Sequence, residues 1–193
     1  MLNGDTAESI WDECNELLAS STFSTRGILR HNKVKIAGTT DDPTDSMRHH
    51  VKMKNEAADF KMVPTFRPDR GMEIENSEGF CKWVNKLEQV SGIHIRNFQN
   101  FLDSLKVRHD FFHDLGCRAS DHGIDKPFAE SFTKKQVAHI FDKVMKSQKI
   151  EDKEVRVFKS AFLYYCGLMD AEKGWVFQLH IGAIRNNNSR MMK

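Results

Sequence analysis

The chain has 193 residues, enough to bury a sizeable core within one domain. Hydrophobic residues make up 39% and charged residues 29%, the balance of a soluble globular protein. Lys+Arg 29 against Asp+Glu 27 leaves +2 with both signs interspersed, which excludes the clustered basic face of a nucleic-acid binder, and the longest apolar run, "AFLYYCGLM", is too short to span a bilayer.

The N-terminal stretch "MLNGDTAESIWDE" is acidic and lacks an apolar signal region, so a cytoplasmic location is expected. Asp5-Thr6 can cap a helix through about Leu18, with Glu8 placed as in a capping box. A shorter helix follows Ser24, then "VKIAGTT" reads as a strand and "DDPTDSMRHHVKMKNEA" as a polar helix with a strong start. "KMVPTF" is a second strand. Phe80, Val84, Leu87 and Val90 then recur at helical spacing, closed by Ser91-Gly92. Phe98, Phe101, Leu102, Leu105 and Phe112 mark the next helix, ended by Gly116.

"CRAS" is a third short strand, ending in Asp121-His122-Gly123. Thr133 caps a helix carrying Val137, Ile140, Phe141 and Val144. Another helix runs from about Asp152 to Lys173, with Val155, Phe158, Phe162 and Leu168 on one face and Gly174 closing it. "WVFQLHI" is the fourth strand. Strands alternating with helices specify a parallel sheet with crossover helices.

Each strand is followed by polar or charged residues: "TTDDP", "TFRPDR", "SDHG" and "HIGAIRNNNSR". Loops after the strand ends build the active sites of α/β proteins. Period-two alternation sets Phe177, Leu179 and Ile181 against covering helices and turns Gln178 and His180 toward a barrel interior. Similar alternation groups Thr65 with Arg67 and Ser120 with His122, so Arg67, His122 and His180 are expected on one opening. Pro68 stiffens the backbone at Arg67, and a fixed guanidinium suits bidentate capture of a carboxylate. Asp42 serves as a helix N-cap, whereas Asp41, nearer the strand, belongs to the pocket.

Other features read as structural. "HDFFH" puts His109 and His113 at the spacing of zinc proteases, but Asp110 replaces the glutamate and the pair lies near the apolar stripe of a covering helix. His49 and His50 point to different sides of a polar helix and are expected in solvent. Cys14, Cys81, Cys117 and Cys166 form no C-x-x-C pair and read as reduced, packed thiols.

"TTDDP", "VPTFRPDR", "GCRASDHG" and "GWVFQLHIGAIRNNNSRM", in this order, resemble the uronate isomerase (glucuronate isomerase) family of the amidohydrolase superfamily. The resemblance covers essentially the whole chain. It implies a (β/α)8 TIM barrel that converts D-glucuronate to D-fructuronate and D-galacturonate to D-tagaturonate, an aldose–ketose isomerisation through an enediol. It also implies a divalent metal, often zinc, whose ligands are not assigned here. By the same resemblance, Arg67 is the substrate-binding arginine, and His122, His180 and Arg185 lie in the family's rim segments; the residues themselves make Asp41 and Arg185 substrate-binding candidates and His122 and His180 the catalytic ones. The family's H-x-H pair and its "TDSRS"-like segment do not occur in the sequence. The expectation is therefore one fragment, residues 1–193, of about four consecutive parallel strands with covering helices. Alone it is expected to be inactive, to bind metal weakly and to oligomerise. A metal-dependent hydrolase of the same superfamily and a non-catalytic sugar-acid binding module are the alternatives. The expected partner is a small hexuronate, with no nucleic acid and no membrane.

Overall fold

The computed structural model describes residues 1–56, 59–182, 188 and 190–191. Four strands form one sheet in the order β1-β2-β3-β4: Ile36–Asp41 (β1), Lys61–Phe66 (β2), Ala119–Ile124 (β3) and Val176–Ile181 (β4). The β2–β3 and β3–β4 pairs are parallel. Lys61 N bonds Lys35 O and Arg67 N bonds Asp41 O, so the β1–β2 ladder climbs in the same direction on both strands. Sequence order equals spatial order, as in part of a (β/α)8 barrel.

The helices are α1 (Ala7–Ala19), α2 (Thr25–His31), α3 (Arg48–Asn55), α4 (Ser77–Ser91), α5 (Phe98–Asp114), α6 (Lys134–Met145) and α7 (Asp152–Lys173). Their ends follow the sequence signals closely. Gly92 and Gly174 close α4 and α7 at φ 71° and 66°, a region that costs glycine no Cβ clash. Thr133 accepts from Gln136 N to start α6. The expected capping box at Asp5 does not form; Thr6 is the N-cap of α1, and a reciprocal Glu151–Glu154 box opens α7 instead. None of the described helices is long and apolar enough to cross a membrane.

The chain divides into two compact units. The first, Met1–Gly38 with His49–Val63, has little interior: α1 buries no residue, and Trp11 and Leu18 are exposed. His50, expected in solvent, is buried there.

The second unit, Thr39–Arg48 with Pro64–Lys193, holds the aromatic core. Phe80, Phe98, Phe101, Phe141, Phe158 and Phe162 meet edge-to-face or tilted, with ring centroids between 5.4 and 6.2 Å apart. Such pairs add about 0.5–1.5 kcal/mol each beyond area burial. On α7 the buried stripe is Phe158, Ala161, Phe162, Cys166 and Met169, at spacings of three and four. Leu168, expected on that stripe, faces solvent.

Strand β3 is longer than expected and runs through "SDHG" to Ile124. Six residue pairs with β4, from Ala119–Val176 to Ile124–Ile181, hold this segment extended. A turn there would break the ladder.

Candidate active site

The ends of all four strands contribute to one cavity of about 860 Å³ in the second unit. Asp41 comes from β1, Arg67 from just after β2, Gly123 from β3 and His180 from β4. This bears out the single rim read from the four polar strand ends. Arg185 lies outside the described residues.

The loop after β1 is fixed by two helices. Trp83 of α4 donates Nε1–H to Asp42, 2.9 and 3.0 Å from its two oxygens, and Thr44 N donates to Oδ1 at 2.8 Å. Asp42 is thereby a turn-maker rather than a free ligand group. Arg108 of α5 is buried and donates to Pro43 O at 2.7 Å and Asp45 O at 2.9 Å. Burial pulls its guanidinium pKa down, and nearby Asp45 opposes that shift. Asp41 accepts from Thr39 Oγ at 2.5 Å and keeps its place in the cavity wall.

The loop after β2 is a single 3-10 turn, Asp69–Met72. Gly71 makes it possible: a Cβ there would stand 2.7 Å from the Phe162 ring, so only hydrogen lets the turn lie on the core. Asp69 at the start of this turn receives Arg67 Nε at 3.1 Å and Gly123 N at 2.8 Å on one oxygen, Oδ2. Committing Nε to Asp69 fixes the guanidinium plane and leaves its Nη end for an incoming group, with Nη1 3.5 Å from Asp121.

The face assigned to β3 needs correction. Ser120 and His122 were expected in the opening with Arg67 and His180. Both are fully buried on the opposite face, against α7 and Phe177. Asp170, an acid within the apolar stripe of α7, supplies the partner that lets polar groups occupy that face. Asp121 points the other way. It lies 2.7 Å from His180 Nδ1 and 3.5 Å from Arg67 Nη1, and joins the two strand ends. His180 itself is half exposed and its Nε2 is 2.9 Å from the Gln178 amide nitrogen. An amide nitrogen donates, so Nε2 carries the lone pair and Nδ1 the proton, with Asp121 Oδ1 2.7 Å from Nδ1 but outside hydrogen-bond geometry.

The family model for glucuronate isomerase matches residues 1–193. The chain belongs to the glucuronate isomerase family. It is 46% identical over 193 residues to a uronate isomerase of Bacteroides thetaiotaomicron, covering 100% of this chain and 41% of that protein. A uronate isomerase of Caldanaerobacter subterraneus is 44% identical over 194 residues, with the same two coverages. The solved uronate isomerase of Thermotoga maritima superposes with a TM-score of 0.91 at 32% identity, over 100% of this chain and 42% of that one. The glucuronate isomerase of Caulobacter crescentus, at 22% identity and a TM-score of 0.90, shares the fold. The chain thus spans about two fifths of the length of the curated relatives it matches.

Within this glucuronate isomerase family chain, sequence reasoning missed Asp69, Asp121 and Lys159. Lys159 pairs with Glu75, lies 5.3 Å above the Phe128 ring and lines the cavity from α7. No strand-end motif marks it, because a helix far along the chain carries it. Among the described residues, no group of three or more His, Cys, Asp or Glu is arranged to hold a metal ion. The residues therefore do not fit the metal that the resemblance implies, and no step is routed through it. His109 and His113 are structural, as expected: His109 bonds Asp170 at 2.9 Å, and His113 Nδ1 accepts from Trp175 Nε1 at 2.9 Å. Cys117 and Cys166 are buried, and burial pushes the Cys117 thiol up to about 11, whereas Cys14 is exposed.

Proposed function

We propose that the protein containing this chain is a cytoplasmic uronate isomerase acting on D-glucuronate and D-galacturonate. The four strands would form part of its (β/α)8 barrel. One observation carries this reading: the fixed Arg67 fork and His180, backed by the buried Asp121, share one polar cavity at the strand ends. A hexuronate has one carboxylate and a chain of hydroxyls. Arg67 would take the carboxylate at its Nη end, held in plane by Asp69. Asp41 and Lys159 would meet hydroxyls on the opposite walls.

Aldose–ketose isomerisation removes the proton from C2 of the open-chain aldehyde and returns a proton to C1 through an enediol. His180 Nε2, carrying the lone pair, is the base in this reading. Asp121 holds the other ring nitrogen and stabilises the imidazolium that forms. Gln178 would yield Nε2 to the substrate and bind a hydroxyl in its place.

The test is to assay the complete protein on D-glucuronate and D-galacturonate in deuterated water. The expected outcome is ketose product carrying solvent deuterium at C1. Turnover of lactones or amides alone would replace the isomerase by a hydrolase, and saturable uronate binding without turnover would leave a binding module.

A further inference from the structure

The loop after β1 is short, rich in acids and closed on itself. Asp45 N donates to Asp42 O at 2.9 Å, and Asp42 N donates to Asp45 Oδ2 at 3.0 Å. Thr44 adds two bonds to Asp42 Oδ1, from its amide at 2.8 Å and from its hydroxyl at 2.7 Å. Pro43 locks one φ angle between them. The loop ends at Met47, which is buried and has φ 55°. A non-glycine residue in that left-handed region persists only where its surroundings over-determine it. These features belong to a loop that is held, not one that hinges. Asp41, Asp42 and Asp45 all line the cavity.

The hold from outside comes from Arg108 of α5. Its Nε–H and Nη2–H lie along one edge of the guanidinium and point the same way, and they donate to Pro43 O at 2.7 Å and Asp45 O at 2.9 Å. Two carbonyls two residues apart meet that edge together only while the loop keeps this curvature. The bonds go to main-chain oxygens, so the cation recognises the path of the chain. The guanidinium is buried and lies 4.5 Å from the ring centroid of Phe111 on its own helix, which helps to fix the plane of the fork. Trp83 of α4 grips the same loop at the Asp42 carboxylate. A buried cation is costly unless its donors are satisfied, and the proton transfer at His180 does not use this one.

We infer that Arg108 is a positioning residue for the site: it holds the loop after β1 in the shape that sets Asp41, Asp42 and Asp45 along the cavity wall before substrate arrives. Arg108 does not line the cavity, so it acts through the loop and is not a catalytic residue. The loop also shares its register with the substrate-holding arginine, because Arg67 N donates to Asp41 O at 2.9 Å. A loop ordered in advance adds no ordering cost when substrate binds. Loss of the clamp therefore falls on binding more than on proton transfer.

The kinetic consequence rests on the isomerase reading proposed above; the hold on the loop stands on geometry alone, and separate measurements read the two. The complete protein is compared with three variants. Arg108→Lys keeps the charge without the planar fork, and Arg108→Gln keeps an amide donor without the charge. Ser104→Ala, the control, removes the bond from Ser104 Oγ to Asn100 O within α5. Hydrogen exchange is followed by mass spectrometry over residues 42–47, with residues 119–124 as internal reference. In either Arg108 variant the loop should exchange about tenfold faster while β3 is unchanged, and KM for glucuronate should rise about tenfold with kcat within about threefold of the parent. Ser104→Ala should leave loop exchange and KM at parent values. Unchanged loop exchange in a folded Arg108 variant, a fall in kcat at constant KM, or an equal KM rise in Ser104→Ala would each overturn the positioning role. Failure of both Arg108 variants to fold, with Ser104→Ala folded, would overturn it too and make Arg108 a stability residue. Inactivity of the unmodified protein on any uronate would sink the isomerase reading, and exchange over residues 42–47 would then decide alone whether Arg108 holds the loop.

Discussion

The two faces of β3 carry the same kinds of residue and meet opposite conditions. On one face, Ser120 and His122 are sealed beneath α7 and joined to Asp170. On the other, Asp121 is itself buried but meets Arg67 and the half-exposed His180, both of which line the cavity. Polarity does not decide which face of a strand is wet. The covering helix decides it, by offering or withholding a partner. The dry face is where loss of a group should cost stability, and the wet face is where it should cost activity.

The dry face gives the largest expected effect. Asp170→Ala removes the partner of both His109 and Ser120 and leaves two polar groups buried without a hydrogen-bond partner. Each buried group orphaned in this way costs about 1–3 kcal/mol. Urea unfolding of the variant should show its midpoint far below that of the parent. A loss under about 1 kcal/mol would mean that the network is wetter than its burial indicates.

The wet face should behave in the opposite way. Asp121→Asn keeps the shape but removes the charge beside His180 Nδ1. kcat/KM for glucuronate should fall on the order of 10²-fold, the scale of a lost general-base contribution, with unfolding changed by less than about 1 kcal/mol. Equal losses in both measurements would erase the distinction between the faces. Arg67→Lys sharpens it further: the charge stays while the planar fork is lost. A drop of about one to two decades in kcat/KM, carried mostly by KM, is expected from a charge-assisted hydrogen bond worth roughly 1.5–3 kcal/mol.

The same contrast explains what the sequence revealed. Helix limits were legible at Gly92, Gly174 and Thr133 because caps are local chemistry. Strand order and the shared rim followed from alternation of elements. The pairing of Ser120 with His122 was also legible, since period two is a local property. Their face was not. The signal that could have placed them is Asp170, an acid between Met169 and Ala171 in line with Phe162 and Cys166 on α7. An acid in an apolar stripe asks for a buried donor, and β3 holds two. Asp69, Lys159 and Arg108 act across 54, 84 and 65 positions of sequence separation, beyond any local pattern.

The smallest effect is a pH dependence at His113, a partly buried ring near the end of α5. His113 accepts a hydrogen bond from Trp175 on Nδ1, and its ring lies parallel to the indole at 6.0 Å. Desolvation, with Arg118 and Lys173 adding to it, lowers its pKa below the ordinary histidine value. The unfolded chain takes up a proton at about pH 6.5, while the folded chain resists it until lower pH. Stability from this site is therefore complete above that pH and declines as pH falls toward the folded value. His113→Gln retains an acceptor for Trp175 and does not titrate, so its stability should change less between pH 7.5 and 5.5 than the parent's. Identical changes in the two proteins would mean that His113 takes its proton equally in both states. The His113→Gln variant should therefore gain on the parent as the solution is acidified.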